Sequence, residues 1–600
     1  MYEVTPIDRH FADFVCREAG DHPPVLRLVA SLASAAVGEG NICLELAAVA
    51  GSEFHADGGS LVVPPLEELR ACLGTVPVIG RPGQFRPLIL DDGDRLYLYR
   101  YWRCQRDLTE FILQKTAEGG GPFDRTLLAD GLARLFPSGG AGTDWQKVAA
   151  LSAMWRRFAV ISGGPGTGKT STVVKILTLL LEQAAGRPLR IALAAPTGKA
   201  AARLRESIRL MKDGLCCADG VKARIPDEAT TIHRLLGAVG DSTRFRFSRE
   251  NPLPHDAVIV DEASMVSLTL MARLVTALKR GARFILLGDR DQLSSVEAGA
   301  VLGDLCGGGR EELFSSEFAA FAGEVAGETI PVHGGTEKLP PLADSLVILK
   351  KNYRFGDTGG IGALSRAVNA GDGDRVLALL KDGSSLGVSW RPLPGSGDLK
   401  RSLAPAALSG YERYLAARTP DESLAAFDTF RILCAVRQGG HGVAGINRLV
   451  EDILEDQGLI EPRQRWYPGR PVMVTANDYG LKLFNGDVGL VLPDPGREGE
   501  LRVFFPAPDG GVRSISPFRL PEHETVYAMT VHKTQGSEFE EVLLLLPEKD
   551  SPLLTRELIY TGITRARAQV EIWGREDVLR AAVTRRIERS SGLREALWPG

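Results

Sequence analysis

The stretch Gly163–Thr170, GGPGTGKT, decides the fold of this chain. It fits the pattern G-x-x-x-x-G-K-[ST], in which glycines let backbone N–H groups wrap phosphates, the lysine reaches the β- and γ-phosphates, and the hydroxyl residue holds Mg²⁺. The apolar run Phe158–Ser162 precedes the loop, and the amphipathic segment Ser171–Glu182 follows it. A strand, a phosphate loop and a helix in this order predict the core of a nucleoside triphosphatase.

Two further apolar runs end in polar residues that suit this chemistry. In Val258–Glu262, VIVDE, a buried strand would deliver Asp261 to Mg²⁺ and place Glu262 to polarise water against the γ-phosphate. Phe284–Gly288 is followed by Gln292, which is placed to sense the γ-phosphate. Taken alone, the polar residues after either run would be interpreted as solvated residues at the end of a strand. After a phosphate loop, they indicate an ATPase or GTPase, without saying what hydrolysis drives.

Composition places limits on the class of protein. Six hundred residues predict roughly four domains or large subdomains. With 71 Lys and Arg against 75 Asp and Glu, the net charge of -4 disfavours a globally basic protein that coats nucleic acid. Nucleic-acid binding would need local basic grooves. The eight cysteines form no C-x-x-C pair, and neither a signal-peptide pattern at Met1–His10 nor an apolar run of about 20 residues is seen. We therefore expect a cytoplasmic protein with reduced thiols.

The chain alternates short apolar strands with amphipathic helices after Asp144, which predicts an α/β fold with parallel sheets. The strands expected in the first set are Phe158–Ser162, Arg190–Ala195, Ala257–Asp261 and Phe284–Gly288, and those in a second set are Thr429–Val436, Glu541–Leu546 and Val570–Gly574. A Gly- and Pro-rich segment, about 466–525, predicts a small antiparallel β-barrel inserted in the second set. Residues 307–345 are expected to be a long connection.

Arginines in the second half favour a motor over a small metabolite kinase. Arg354, Arg565 and Arg567 lie where an opposing domain would present them to the nucleotide. Such an arginine stabilises charge on the transferring phosphoryl group and senses domain closure. The alternative for any single arginine is a surface salt bridge.

The order of these motifs resembles that of a superfamily 1 helicase of the 5′-to-3′ class. The resemblance extends over 146–567 and includes Gln146 as an adenine-reading glutamine, Ala195–Ala201, Thr231–Gly237, Asp261–Ser264, Gly288–Gln292, Tyr353–Arg354, Thr530–Ser537 and Tyr560–Arg567. It implies two RecA-like motor domains that bind ATP and Mg²⁺ between them. The residues expected to bind the nucleotide are Gln146, Gly163, Gly164, Pro165, Gly166, Thr167, Gly168, Lys169, Thr170 and Ser171, with Thr170 and Asp261 on the metal. Those expected to catalyse hydrolysis are Lys169, Glu262, Gln292, Arg354 and Arg565.

Within that class the chain is similar to the motor-subunit family of RecBCD-type helicase–nucleases, which act on double-strand DNA ends in recombinational repair. The similarity rests on Ala229–His233, Phe484–Asp487, Gly38–Leu44 and Arg95–Trp102. It implies a heterotrimer with RecB-like and RecC-like subunits, single-stranded and duplex-end DNA as ligands, and a nuclease centre in a partner. A stand-alone helicase related to this family is the second hypothesis, and a non-catalytic scaffold on the helicase fold is the third. The second is disfavoured by only about 143 residues before the ATPase core, and the third by intact motifs.

Short polar and basic groups in the helicase motifs are expected to contact DNA phosphates. They bind phosphate less tightly than a cluster of arginines would. They are Thr197, His233, Thr530, His532 and Lys533. For His233 the alternative is a capping or core role. The alternating Arg244–Phe247 is either a wedge-like hairpin or an ordinary surface hairpin, and Asn477 and Asn485 are either DNA contacts or turn residues.

Three domains follow from these motifs. Residues 1–118 are expected to form a mainly helical domain that docks on the RecC-like subunit, with the strand-like Leu96–Tyr101 and Trp102 in the interface or in the domain's own core. Residues 119–349 are expected to be the first RecA-like domain, with a short hairpin insertion near 238–252. Residues 350–600 are expected to be the second, with an SH3-like insertion at about 466–525.

Overall fold

Helices surround a small sheet at the start of the chain. The computed structural model describes residues 2–56, 59–137, 142–239, 244–307, 313–333, 339–356, 359–382, 387–395, 397–478, 480–507 and 510–598. The first elements are α1 (Pro6–Ala19), α2 (Val25–Gly38), β1 (Leu44–Glu45), α3 (Leu46–Val49), β2 (Glu53–Ala56), β3 (Gly59–Val62), α4 (Leu66–Gly74), β4 (Ile79–Gly80), β5 (Leu88–Leu90), β6 (Arg95–Leu98) and α5 (Tyr99–Ala117). Four strands form a sheet in the order β1-β6-β5-β4 beneath α1 and α2. The expected helical N-terminal region is confirmed.

The first motor domain has a six-stranded parallel sheet in the order β12-β7-β11-β10-β8-β9. Its elements are α6 (Arg125–Leu135), α7 (Trp145–Trp155), β7 (Phe158–Ser162), α8 (Lys169–Gln183), β8 (Ile191–Ala195), α9 (Gly198–Lys212), α10 (Asp219–Lys222), β9 (Ala229–Thr231), α11 (Ile232–Leu236), β10 (Ala257–Val260), α12 (Leu268–Ala277), β11 (Arg283–Gly288), α13 (Val301–Leu305), α14 (Ser316–Ala326) and β12 (Leu346–Ile348). Strand β7 is buried along its whole length, as expected for a parallel sheet covered by helices on both faces.

The second motor domain has a five-stranded parallel sheet in the order β13-β22-β21-β14-β20. Its elements are α15 (Gly360–Ala370), α16 (Gly373–Lys381), β13 (Val388–Arg391), α17 (Leu399–Ala416), α18 (Pro420–Phe427), β14 (Phe430–Cys434), α19 (Val443–Asp456), β20 (Ala528–Thr530), β21 (Phe539–Leu545), α20 (Arg556–Ile563), β22 (Ala566–Trp573) and α21 (Glu576–Thr584), and α22 (Leu593–Leu597) follows. The α/β fold with two parallel sheets is confirmed.

An antiparallel sheet is inserted between α19 and β20. It contains β15 (Pro471–Val474), β16 (Val488–Pro493), β17 (Leu501–Pro506), β18 (Val512–Ile515) and β19 (His523–Thr525), in the order β18-β17-β16-β15-β19. A small apolar core of its own includes Val472, Val491 and Phe505. The sheet lies where the insertion was expected, and its closer likeness to an SH3 barrel stays a prediction.

Helix α5 belongs to the first motor domain rather than to a separate docking domain. It packs along α12, and the Phe111 ring meets Phe284 of β11 at a centroid distance of 5.9 Å. Trp102 is buried in the same apolar cluster, which includes the core strand residue Phe158. Trp102 therefore packs in the chain's own core, and residues 99–117 move from the N-terminal domain to the motor. The expected strand Leu96–Tyr101 is also wrong in its second half, because α5 begins at Tyr99.

The C-terminal segment returns to the first half of the molecule. The Ser590 backbone forms two hydrogen bonds with Asn41 and Ile42: the Ile42 N–H donates to Ser590 O, and the Ser590 N–H donates to the Asn41 side-chain Oδ1, both at 2.9 Å. Glu595 lies 2.5 Å from Arg95 of β6, and Trp598 Nε1 donates to Leu305 O at 3.2 Å. We call residues 589–598 the return segment. It joins the N-terminal domain to the first motor domain, so the expected assignment of 350–600 to the second motor domain is too long.

Two smaller expectations also change. Residues 307–345 are not only a connection, since α14 lies within them and packs on α6 and α7. The hairpin expected near 238–252 falls partly on 240–243, outside the described residues. On either side of that gap, Ala238 and Phe245 form one antiparallel bridge.

Candidate nucleotide and DNA sites

The phosphate loop lies between β7 and the N-terminus of α8, as the sequence predicts. Gly166 and Gly168 both have φ of +80°, a backbone region that favours glycine. The Lys169 ammonium donates to the carbonyl oxygens of Gly163 at 2.5 Å and Gly164 at 3.2 Å. Lys169, Thr170 and Ser171 form the first turn of α8, whose free N–H groups and dipole favour an anion. The loop is therefore built to receive phosphates.

Two segments close around this loop. The buried Gln146 side chain donates from Nε2 to Thr167 O at 3.0 Å, and a side chain at Gly168 would collide with it. On the other side, Asn352 Nδ2 donates to Pro165 O at 2.7 Å, while Tyr353 N–H donates to Gly166 O at 2.8 Å. These contacts bring Gln146 and the Arg354 segment to the rim of the loop. Adenine recognition by Gln146 stays a prediction.

The expected acidic pair lies at the carboxyl end of β10. Burial, and the neighbouring Glu262 carboxylate next, raise the pKa of Asp261 to about 6, although Lys169 acts in the opposite direction. Glu262 adopts φ of +53°, an uncommon conformation for a non-glycine residue that is often found at functional sites. A divalent cation would relieve the cost of the buried charge on Asp261. The Thr170 hydroxyl and the Asp261 carboxylate are oxygen ligands of the kind Mg²⁺ prefers.

The motif that follows β11 is hydrogen-bonded to the second motor domain. Asp289 accepts hydrogen bonds at Oδ2 from Gln292 Nε2 at 2.9 Å and from the Tyr560 hydroxyl at 3.0 Å. Burial raises the pKa of Asp289 to about 6. Gln292 thus reaches the cleft, bonded through its amide nitrogen to Asp289. Its role as a γ-phosphate sensor stays a prediction.

Leu293 extends this link to two motifs of the second motor domain. Its N–H donates to Thr561 Oγ1 at 2.9 Å, and its carbonyl accepts from Gln535 Nε2 at 2.7 Å. Thr561 belongs to the segment that carries the arginines, and Gln535 to the segment that carries Thr530 and His532. The backbone directly after the nucleotide motif is therefore bonded to both motifs of the opposing domain.

The arginines meet at a carboxylate that sequence reasoning missed. Glu538, whose side chain is 5% exposed, lies 2.9 Å from Arg354, 2.5 Å from Arg203 and 3.2 Å from Arg567. Burial opposes ionisation, but Arg203 and Arg354 lower the pKa of Glu538 to about 2. The available signal was an acidic residue directly before an apolar strand, in the tail of the Thr530–Ser537 motif.

Arg565 is placed differently from the other arginines. Its buried guanidinium donates to Thr561 O at 3.2 Å and Ser537 O at 3.0 Å. Burial lowers the pKa of Arg565, and the nearby Glu262 charge is the strongest opposing influence. The structure therefore brings Arg565 and Glu262, expected from opposite domains, to the same cleft.

Two of the expected DNA motifs occupy equivalent places in the two motor domains. Strand β9 at the edge of the first sheet and β20 at the edge of the second each lead into a short helix. Thr231 caps the first of these helices by accepting from Arg234 N–H at 3.2 Å, and Thr530 caps the second by accepting from Lys533 N–H at 3.4 Å. His233 and His532 each follow their threonine by two residues. The exposed His233 ring lies 6.0 Å from Phe245, so it is not a core residue.

The remaining expected DNA residues are less free to act as cations. Burial lowers the pKa of His532, which favours a neutral imidazole that can donate or accept a hydrogen bond. Lys533 is 3.2 Å from Glu524, so any phosphate must compete with that carboxylate. Asn477 Oδ1 accepts from Asn485 N–H at 2.8 Å, so the Asn477 side chain stabilises a turn. A DNA contact by either asparagine stays a prediction.

Thr197 begins the element at which three parts of the chain meet. It caps α9 by accepting from Ala200 N–H at 3.2 Å. Next to it, a side chain at Gly198 would lie 3.1–3.3 Å from the Phe484 side chain of the insertion, and one at Gly536 would lie 3.6 Å from Ala200. The first motor domain, the Thr530–Ser537 motif and the insertion therefore converge beside Thr197.

The described part of the chain contains neither a clustered metal site nor a membrane-spanning helix. Within the described ranges, no group of three or more His, Cys, Asp or Glu is arranged to hold a metal ion. This is compatible with a nucleotide-bound Mg²⁺, which takes few protein ligands. In the same part of the chain, no helix is both long and apolar enough to cross a bilayer.

Comparisons with known proteins agree with this architecture. The family described as the RecBCD enzyme subunit RecD, N-terminal domain, matches residues 3–97, the AAA domain family matches 146–298, and the UvrD-like helicase C-terminal domain family matches 525–572. A RecBCD enzyme subunit RecD of Mycobacterium tuberculosis is 41% identical, over 98% of this chain and 94% of its own. The Haemophilus influenzae protein of that name is 35% identical over 91% and 86%.

Two more distant proteins complete the comparison. The ATP-dependent RecD2 DNA helicase of Deinococcus radiodurans is 29% identical over 84% of this chain and 58% of its own. A solved Pif1 helicase from Bacteroides, in complex with ADP-AlF3 and ssDNA, is 17% identical over 72% of this chain and 91% of its own, with a TM-score of 0.35. A likeness this low supports no conclusion.

Two parallel motor sheets with a phosphate loop between them, together with the matches to an AAA domain and to a UvrD-like helicase C-terminal domain, make this chain an ATP-dependent DNA helicase of superfamily 1. The near full-length identity to curated relatives is more specific. The chain belongs to the RecD family.

Proposed function

We propose that this chain is the 5′-to-3′ motor subunit of a RecBCD-type helicase–nuclease that processes duplex DNA ends during recombinational repair. The observation that carries the proposal is the near full-length identity to curated RecBCD enzyme subunits RecD. The bonding of Leu293 to both Thr561 and Gln535 supports the motor part of it. Leu293 follows the nucleotide-cleft residues Asp289 and Gln292. Gln535 belongs to the motif that begins with Thr530. A change in the cleft is therefore passed by direct contact to the segment assigned to DNA.

In the proposed hydrolysis step the chain's own residues have separate roles. Lys169 leaves the loop carbonyls and places its charge on the β/γ oxygens, while Glu262 accepts the proton of the attacking water. Arg354 and Arg565 stabilise charge that develops on the transferring phosphoryl group. Gln292 senses the γ-phosphate through its bond to Asp289. Thr170 and Asp261 would hold Mg²⁺, which supplies further positive charge on the phosphates.

Movement along DNA follows from the paired edge motifs. Thr197 and His233 in the first domain, and Thr530, His532 and Lys533 in the second, bind successive phosphates of one strand. Hydroxyl and neutral imidazole contacts release readily, as a translocating motor requires. Opening and closing of the cleft then changes the distance between the two sets of contacts once in each ATP cycle.

The N-terminal domain supports a place in a complex. The family match at 3–97 is to the N-terminal domain of a RecBCD subunit. We assign residues 1–98 to docking on a RecC-like subunit, with a RecB-like subunit supplying the nuclease centre. Stand-alone helicase activity is the second candidate, favoured by the identity to RecD2.

One set of measurements tests these assignments. The purified chain should hydrolyse ATP faster with single-stranded DNA and should unwind a duplex that carries a 5′ tail but not one that carries a 3′ tail. Preference for the 3′ tail would contradict the polarity. Co-purification with RecB-like and RecC-like chains of the same host distinguishes the complex from the stand-alone enzyme, which would purify without them.

A further inference from the structure

Glu538 is a buried acid surrounded by the arginines of the cleft. Its Oε1 is shared by Arg203 at 2.5 Å and Arg354 at 2.9 Å, and its Oε2 contacts Arg567 at 3.2 Å. The three arginines come from α9 of the first motor domain, from the segment between the domains, and from β22 of the second. No other carboxylate in the described ion pairs joins arginines of all three parts.

Arg354 cannot serve Glu538 and a nucleotide equally. Its backbone is fixed at the phosphate loop, because a side chain at Gly166 would lie 2.5 Å from Arg354 Cβ and 2.8 Å from Asn352 Oδ1. Its side chain is 27% exposed, and its guanidinium is paired with Glu538. A γ-phosphate bound at the loop presents a second anion to the same group. Arg354 must weaken its bond to one anion in order to bind the other.

We infer that Glu538 is a positioning residue that competes with the γ-phosphate for Arg354 and thereby couples nucleotide state to the DNA-contacting motif. When ATP binds, Arg354 transfers from Glu538 to the γ-phosphate, while Arg203 and Arg567 keep Glu538 ionised. Glu538 directly follows Thr530–Ser537. When Glu538 loses its ion pair with Arg354, the position of that segment therefore changes. ADP lacks the γ-phosphate and leaves the Arg354–Glu538 pair intact.

This inference rests on the proposed function, since it requires that Arg354 meets a nucleotide. It predicts a difference between two nucleotides rather than a general loss. Substituting Glu538→Gln removes the competing charge at nearly constant volume. Affinity for a triphosphate should rise, affinity for ADP should stay the same, and the stimulation of ATP hydrolysis by DNA should fall.

The test measures binding of fluorescent ATPγS and ADP to the full chain, with Mg²⁺, for wild type and E538Q. The ratio of ATPγS to ADP affinity should rise about tenfold in E538Q, the usual worth of one charge-assisted hydrogen bond. The matched control is Glu540→Gln, because Glu540 is exposed and pairs with Arg567 at 3.4 Å but not with Arg354. E540Q should leave the ratio unchanged.

A double variant shows whether the effect of E538Q passes through Arg354. In Arg354→Gln the competing pair is already broken, so adding E538Q should change the ratio no further. The reverse approach uses Arg354→Lys, which retains a charge but not the guanidinium geometry and should lower the ratio. An unchanged ratio in E538Q, or the same rise in the R354Q background, overturns the inference. Failure of the wild type to bind either nucleotide would instead overturn the proposed function.

Discussion

Tyr560 of the second motor domain donates a hydrogen bond of 3.0 Å to Asp289 of the first, and the same hydroxyl lies 2.8 Å from where a side chain at Gly164 would begin. One tyrosine thus contacts a cleft carboxylate and the phosphate loop from the opposite domain. Tyr560→Phe should remove that link without changing the packing of the ring. We expect the kcat of DNA-stimulated ATP hydrolysis to fall about tenfold, since one buried hydrogen bond is lost, and the KM for ATP to change less.

Steady-state kinetics with saturating single-stranded DNA measure this effect. Tyr353→Phe is the control, because Tyr353 is 56% exposed and its contact with the phosphate loop is made by its backbone. Equal loss in both variants would mean that Tyr560 does not couple the domains.

Lys169→Gln should abolish ATP hydrolysis while the fold remains intact. The Lys169 side chain bonds only loop carbonyls within the described residues, so its replacement removes a phosphate ligand rather than a core contact. Circular dichroism should match the wild type, and DNA-dependent ATPase should be at background. Near-normal hydrolysis by K169Q would disprove the assignment of the loop.

Glu262→Gln should separate nucleotide binding from hydrolysis. Asp261 still holds Mg²⁺, whereas the proton-accepting carboxylate is gone, so turnover should be at least ~100-fold slower. Equilibrium binding of ATP and single-turnover hydrolysis measure the two properties independently. If E262Q lost ATP affinity instead, the roles of Asp261 and Glu262 would be reversed.

Asp304 should make stability depend on pH. Burial raises its pKa to about 7, against the partial effect of Ser591, Arg594 and Arg589, and its Oδ2 has no hydrogen-bond partner among the described residues. Between pH of about 4 and 7 the folded chain holds a proton that the unfolded chain releases, so stability decreases as pH rises through that window.

Asp304→Asn removes this titration at constant shape. The variant should be more stable than wild type at pH 8, by about 1–3 kcal/mol, and its advantage should shrink towards pH 4. Urea denaturation at several pH values measures the free energy of unfolding of both proteins. In the difference between them, the titration of Asp261 and Asp289 cancels because both proteins share it. A variant that is destabilised equally at pH 5 and pH 8 would show that Asp304 is not buried as an acid.

Truncation should show where the docking domain ends. A chain lacking 1–98 keeps α5 on α12, so we expect it to retain some DNA-dependent ATPase but to lose binding to a RecC-like subunit. A chain lacking 1–118 also loses α5 and exposes the α12 surface, so we expect it to be insoluble or inactive. Pull-downs and ATPase assays on both chains provide the comparison. Equal activity of the two would place α5 outside the motor domain.

Local patterns predicted the strands and loops of the nucleotide cleft well because each motif combines a short strand with its own loop. Strand Phe158–Ser162 and the residues Asp261 and Glu262 lie where the sequence places them. The alternating aromatic residues of Leu96–Tyr101 predicted a strand where α5 in fact begins at Tyr99. Short apolar runs fit strand and helix patterns equally well. Glu538, Tyr560 and the return segment depend on contacts between residues far apart in the chain, which no local period reveals. Trp102 was ambiguous for the same reason, since a core and an interface use the same side chain.

The return segment has a consequence for synthesis on the ribosome. Leu593, Leu597 and Trp598 share one apolar cluster with Phe158 and Phe284, although the whole second motor domain is translated between them. The first motor domain therefore cannot complete its packing when its own residues emerge. Until the later residues arrive, the surfaces of α5 and α13 that they cover stay exposed on the nascent chain. An mRNA truncated before codon 589 would encode both motor domains almost completely. The apolar core of the first would remain exposed, a state that chaperones and proteases recognise.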